Sequence, residues 1–161
     1  MAELKVNLGC GRDIRAGWKN IDSRGLPGAE KGDVRNLQAL GIEPGSVDYI
    51  LAGAILEHMK LAEWKSVLAH WIDCLKVGGT LEIHIPHLRL MCSRFLSGKL
   101  ADEEFVHLMY GGQNYEGNFH RSGASAKTLF AELAANHCEV VRHEQRHHLL
   151  LVWTVKRGER G

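Results

Sequence analysis

This chain has almost no excess of charge of either sign: 20 Lys and Arg stand against 19 Asp and Glu, a formal net charge of +1. No global field therefore draws it to nucleic acid, and only a local basic patch could do so. No apolar run approaches the roughly eighteen residues of a membrane span. The opening Met1–Val6, which carries Glu3, lacks the apolar stretch of a signal peptide. Closely spaced cysteines are missing too. Cys10, Cys74, Cys92 and Cys138 lie far apart and read as reduced small residues, so the expected location is cytoplasmic. There is no Gly-Lys-Ser/Thr sequence, which excludes a phosphate loop. Internal repeats, low-complexity tracts and linkers are also lacking.

What is present is an ordinary globular composition, 161 residues with 45% hydrophobic and 24% charged, suited to one domain. That domain is expected over 1–156, with a basic frayed tail at 157–161. Leu4–Leu8 reads as a strand running into the turn Gly9-Cys10-Gly11, and Trp18–Asp22 as a second short strand. Gly32-Asp33-Val34 marks a third strand end or its loop, and Val47–Ala52 a fourth strand after Pro44-Gly45. Trp64, Val67, Leu68, Trp71, Ile72 and Leu75 recur three and four apart, which predicts a helix over Leu61–Lys76 stopped by Gly78-Gly79. Trp64 and Trp71 on that face are core side chains. Thr80–Ile85 is a strand closed by Pro86, His87–Tyr110 is helical with a break at Gly98, and Gly111–Gly123 is a loop. A short helix over Ser125–Asn136 precedes strands at Cys138–Val141 and Leu149–Val155, joined by a charged turn. The expected architecture is α/β and Rossmann-like, a mostly parallel sheet with a C-terminal antiparallel hairpin.

A strand, a glycine turn and an acidic residue at the next strand end suit nucleotide binding. Gly9 and Gly11 bare the backbone to a ligand, and the carboxylate of Asp22, thirteen residues after Gly9, can accept from ribose hydroxyls. The dinucleotide form fits poorly. Ile14 occupies the third glycine position of G-x-G-x-x-G, and the acid arrives earlier than the usual spacing of about 20 residues. Between Gly11 and Asp22 there is room only for a short helical segment or a loop.

Val6-Asn7-Leu8-Gly9-Cys10-Gly11 followed by Gly17-Trp18-Lys19-Asn20-Ile21-Asp22 resembles the opening of class I S-adenosylmethionine-dependent methyltransferases, in particular a compact, methyltransferase type 11-like group. Gly32-Asp33-Val34-Arg35-Asn36-Leu37, Val47-Asp48-Tyr49-Ile50, Ile55-Leu56-Glu57-His58 and Leu75-Lys76-Val77-Gly78-Gly79-Thr80-Leu81 are similar, in order, to later segments of that superfamily. The resemblance implies S-adenosylmethionine as cofactor. It places Gly9, Cys10 and Gly11 beside the methionine portion, Asp22 on ribose, Asp33 and Val34 at adenine, and Ala52 near the amino acid end. Asn7 stands where an acid is common, so its amide would bond a loop or the ligand's ammonium without a charge; Asp13 replaces another common glycine. Asp33 also has a plainer reading, as a turn cap.

Methyl transfer from a sulfonium needs alignment and exclusion of water rather than a metal or a covalent intermediate. A hydroxyl acceptor gains from a nearby imidazole base. His120 is the first candidate as base or acceptor-orienting group, because segments resembling Gly111-Gly112-Gln113 and His120 occur in the same group. His87, after the strand-closing Pro86, is the second. Arg121 could hold an anionic acceptor or form a surface salt bridge. Glu57 reads equally as a helix-start residue or as a neighbour of the methyl donor, and His58 as a satisfied, partly exposed histidine. His143-Glu144-Gln145-Arg146-His147 satisfies H-E-x-x-H, but it lies between two strands, where extended backbone cannot set both histidines on one metal.

The expected activity is methyl transfer to a small hydroxyl- or amine-bearing molecule, such as a sugar or another metabolite. The alternative is a non-catalytic, cofactor-binding subunit that modulates a partner, since no separate substrate domain is evident. Nucleic acid is disfavoured as acceptor, no membrane association is expected, and the apolar residues of Leu88–Tyr110 point to a homodimer.

Overall fold

The computed structural model describes residues 3–158. Short runs with apolar residues at buried positions form strands β1 (Lys5–Leu8), β2 (Lys19–Asp22) and β4 (Val47–Gly53), while the two charged, exposed residues of β3 (Glu30–Lys31) pair along β2 at the sheet's edge. They are followed by α1 (Trp64–Cys74), β5 (Leu75–Pro86), α2 (Leu88–Leu96) and α3 (Asp102–Tyr110). The chain closes with α4 (Ala126–Ala135), β6 (Cys138–Arg146) and β7 (Leu149–Lys156). One seven-stranded sheet results, in the order β3-β2-β1-β4-β5-β7-β6. The first five strands run parallel, and β7 is antiparallel to both β5 and β6.

Register decides what meets at the carboxyl edge. Leu8 is level with Ile21 on one side and Ala52 on the other, while Asp22 is level with Lys31. The turn after β1, the end of β2, the loop after β3 and the end of β4 therefore open at one edge of the sheet, where parallel α/β folds gather ligands. The core lies on the face where Val6, Leu8, Ile50, Ile83 and Val152 meet Leu68 and Trp71 of α1 and Leu129 and Leu133 of α4, all buried. Asn7, Tyr49, Glu82 and His84 alternate away from that core. There the Tyr49 hydroxyl donates to Glu82, and His84 Nε2 lies 2.6 Å from Glu82 Oε1.

Two boundaries differ from the expectation. The helical α1 stops at Cys74, one turn of 3-10 helix at Leu61–Glu63 precedes it, and Leu75 already has extended backbone (φ −71°, ψ 143°). Leu75 pairs with Val47, and the ladder shifts before Tyr49 pairs with Thr80. Gly78 and Gly79 thus serve an irregularity inside β5 and not a helix stop. A Cβ on Gly79 would stand 2.9 Å from the Lys76 carbonyl oxygen. Second, β6 extends through Arg146. Its charged residues are those of an edge strand, which natural sheets protect with charge, and they resemble a turn when read locally. Of the two forms expected between Gly11 and Asp22, a short helical segment or a loop, the chain takes the loop: Gly9–Trp18 contains no helix. The expected tail at 157–161 begins with Arg157, whose N–H donates to His137 O at 2.9 Å and whose guanidinium pairs with Glu139; 159–161 lie outside the described residues.

Candidate functional site

Gly9 begins the cleft. Its φ of +62° is left-handed, and a Cβ there would lie 2.7 Å from Ile55 Cδ1, so both conformation and space require glycine. The floor it leaves opens into a cavity of about 210 Å³. Asp22, Arg24, Asp33 and Val34 line one wall; Ala54, Ile55, His58 and Met59 line the other, with Tyr115 and Gly117 at the rim.

Asp22 is buried and heavily hydrogen-bonded. Oδ2 accepts from the Gly11 N–H at 2.9 Å, and Oδ1 accepts from the Arg24 N–H and Arg24 Nε, both at 2.9 Å. Burial raises its carboxyl pKa, but the hydrogen bonds from the Arg24 side chain and from the Arg24 and Gly11 N–H groups outweigh this and hold it below its ordinary value. Asp33 is engaged in the same way. Arg35 Nη2 donates to Oδ2 at 2.8 Å and Arg35 Nε to Oδ1 at 2.9 Å, which keeps the Asp33 carboxyl low. Val34 is held from beneath, its carbonyl accepting from Trp71 Nε1 at 2.8 Å.

Other candidates are placed away from the cleft. The Asn7 amide donates to the Asp13 carbonyl at 2.7 Å and to Asn20 Oδ1 at 3.2 Å. Asn20 also bonds both backbone groups of Arg15, so this pair stitches the loop after β1 to β2. Cys10 is buried and its N–H donates to Ile21 O at 3.0 Å. Ala52 is fully buried in β4, and Ala54 and Ile55 are the residues of that segment on the cleft. His87 is 4% exposed and its Nδ1 accepts from the Leu90 N–H at 3.0 Å; the ring caps α2.

His120 is brought to a different neighbourhood. Two segments distant in sequence are joined by backbone bonds, because the Arg121 and Ser122 N–H groups both donate to Glu57 O, at 2.8 and 3.1 Å. Trp64 Nε1 adds a clamp, donating to Leu56 O at 3.1 Å and to Ser122 Oγ at 2.9 Å. The His58 and His120 rings meet edge to face with centroids 4.9 Å apart. His58 Nδ1 lies 3.1 Å from Phe119 O and His120 Nδ1 lies 2.9 Å from Leu108 O. A carbonyl oxygen can only accept, so each Nδ1 carries the proton and each Nε2 keeps a lone pair. Burial lowers both imidazole pKa values.

Glu57 completes the group. It is 1% exposed, burial pushes its carboxyl up to about 8, and Oε2 has no hydrogen-bond partner among the described residues. One ligating atom from each of Glu57, His58 and His120 lies within 4.8 Å of the others, and this is the one set of three metal-competent side chains among the described residues. The H-E-x-x-H sequence forms no such set. His143 lies in β6 with its ring 5.3 Å from that of Phe130, Glu144 pairs with Arg142 and Arg146, and His147 turns with φ 55°.

Arg24 and Met59 also line the cleft, although they lie in none of the sequence segments that point to it. The Arg24 guanidinium lies 4.9 Å from the Tyr115 ring centroid, spanning the cleft from Asp22. A cation two residues beyond the acid was the only signal available for it.

No protein-family model and no curated protein matches the chain. Solved structures do match. The 1,6-didemethyltoxoflavin-N1-methyltransferase of Burkholderia thailandensis, solved with that compound and S-adenosylhomocysteine, superposes with a TM-score of 0.66 at 14% identity, over 96% of this chain and 71% of its own. An S-adenosylmethionine-dependent methyltransferase of Thermotoga maritima gives 0.65 at 15% identity, over 98% and 83%. A complex of the Trm112 methyltransferase activator from Haloferax volcanii with its methyltransferase partner gives 0.66 at 12%, over 99% and 84%. The chain has the class I methyltransferase fold.

Proposed function

We propose that the protein binds S-adenosylmethionine and transfers its methyl group to a small hydroxyl- or amine-bearing acceptor. The observation that carries this reading is the cleft over the turn after β1, with bare glycine backbone at its floor and Asp22 and Asp33 on one wall. Gly9 and Gly11 would pass beside the methionine portion. Asp22 would hold the ribose hydroxyls after Arg24 swings aside, and Asp33 with Val34 would meet adenine. Ala54 and Ile55 would flank the amino acid end, taking the place expected of Ala52. Asn7 and Cys10 would act by holding the glycine loop.

The acceptor side would be the ground between His58, His120 and Tyr115. His120, with an unprotonated Nε2, would orient the acceptor or take its proton, while His87 would shape the start of α2. Neutral imidazoles suit this role near neutral pH. The bound S-adenosylhomocysteine of the Burkholderia neighbour and its small-molecule substrate support the choice of cofactor and acceptor class.

The alternative is a non-catalytic, cofactor-binding subunit that modulates a partner; the Haloferax neighbour was likewise solved in a complex, with Trm112 in it as the activator. Calorimetry with S-adenosylmethionine and S-adenosylhomocysteine, beside NAD and ATP, tests the shared premise; binding of only NAD or ATP removes it. Binding of the sulfur nucleosides followed by methyl transfer to a member of a broad panel of hydroxyl and amine compounds supports the enzyme. Binding without transfer across that panel favours the subunit.

A further inference from the structure

We propose that Glu57, His58 and His120 bind a divalent first-row transition-metal ion at the edge of the cofactor cleft, and that its remaining positions take an oxygen of the methyl acceptor. The second half rests on the methyl-transfer reading; the first half does not.

Three independent observations converge on the ion. A carboxyl oxygen buried without a partner, as Glu57 Oε2 is, costs free energy unless another group meets it. Both imidazoles present an Nε2 lone pair whose tautomer is set by a carbonyl on Nδ1, the arrangement by which proteins orient metal-binding histidines. One ring nitrogen of each histidine and one carboxyl oxygen of Glu57 also lie within 4.8 Å of one another. Around an ion with bonds of about 2.1 Å, ligand atoms stand roughly 3.3 Å apart, so small rotations of two rings and one carboxylate close the set.

The donor set selects the ion. Two imidazoles and one carboxylate suit zinc, manganese, iron or cobalt, whereas calcium and magnesium prefer all-oxygen sites. Three protein ligands leave positions open, as at catalytic metal sites. His58 is itself a wall of the cleft, so those positions open toward the bound donor.

An acceptor hydroxyl bound there loses its proton to water and remains as a metal-held alkoxide. Its oxygen lone pair forms the bond to the methyl carbon as the carbon–sulfur bond breaks. The sulfonium leaves as a neutral thioether. His120 then orients the acceptor through the ion instead of taking the proton.

The test uses the full chain, treated with chelator and dialysed, with Co²⁺ as probe and no nucleoside present. The expected result is one Co²⁺ per chain with visible ligand-field bands. His58→Ala, His120→Ala and Glu57→Gln should each weaken binding by at least about tenfold, since even loss of an outer partner costs that much. His147→Ala should leave binding unchanged. Circular dichroism verifies that each variant is folded, and the half-buried His58 and His120 suffice should the Glu57 variant fail. Three results overturn the site: no binding up to the order of 1 mM, binding that survives the changes at His58 and His120, or binding lost in His147→Ala. Acetohydroxamate, a bidentate oxygen donor, should shift the Co²⁺ bands; unshifted bands overturn the acceptor half. Calorimetry with S-adenosylhomocysteine on the same sample separates the two readings, because Co²⁺ binding without nucleoside binding keeps the ion and removes methyl transfer.

Discussion

Asp22 already has hydrogen bonds on both oxygens, so a ribose must compete with Arg24 for it. Removing the acid with Asp22→Ala should weaken binding of S-adenosylhomocysteine at least about tenfold, the loss of one or two charge-assisted hydrogen bonds. Unchanged affinity by calorimetry would take Asp22 out of the ribose site. Arg24→Ala should act in the opposite direction. Its guanidinium is 38% exposed, so the pair with Asp22 is worth about 1 kcal/mol or less, and affinity should rise by roughly fivefold at most. Weaker binding would mean that Arg24 holds the ligand. The pH dependence follows from the sign of the Asp22 shift, downward from its ordinary value of 3.8. The folded protein binds fewer protons here than the unfolded chain. The stabilisation is full above the ordinary value and is lost as pH falls through the depressed one. Asp22→Asn should therefore melt lower than the parent near pH 7, and the gap should close below about pH 4. A constant gap across thermal melts would refute the assignment.

At the scale of elements, the cleft is shaped by what supports it from behind. Gly9→Ala would force a left-handed alanine against Ile55, costing about 1–3 kcal/mol and tilting the floor of the cleft; denaturant unfolding checks the first effect and calorimetry the second. Trp71 connects α1 to the adenine wall through its bond to the Val34 carbonyl. Trp71→Phe keeps most of the packing but leaves a buried carbonyl without its donor, at about 1–3 kcal/mol. Cofactor affinity should fall with it, although Trp71 touches no ligand position. A stability loss with unchanged affinity would show that the Val34 loop does not depend on this support. The glycines in β5 illustrate a limit of local reading. Gly78-Gly79 after an apolar helix resembles a stop signal, yet pairing of Leu75 with Val47 draws the residues before them into the sheet.

For the whole molecule, α2 and α3 form an arm beyond the core, tied together by stacked Phe95 and Phe105 rings 4.3 Å apart. Leu96, Val106 and Tyr110 on this arm are 83%, 53% and 56% exposed, apolar surface that a second copy would cover. A homodimer through this arm is the expected state. Sedimentation at micromolar concentration should show it, and Leu96→Glu with Val106→Glu should shift it to monomer. A parent chain that sediments as a monomer refutes the dimer. No helix among the described residues is long and apolar enough to cross a membrane.

Much of this was legible before folding was considered. The succession of strands along the chain, the Gly9 turn, Asp22 at the end of β2, Asp33 after β3 and the apolar face of α1 all follow from short-range rules, because turn chemistry and hydrophobic period are written within a few consecutive residues. The misreadings share one cause. Charges along the edge strand β6 resemble a turn when read locally, and Gly78-Gly79 resembles a helix stop; likewise only the structure supplies the loop partner of Asn7 and the cap made by His87. Tertiary structure alone decided that Glu57 and His58 meet His120, since that meeting depends on carbonyl bonds between two loops far apart in the chain. No local pattern encodes such a convergence; it exists only when strand register and a clamp such as Trp64 fix where both loops end.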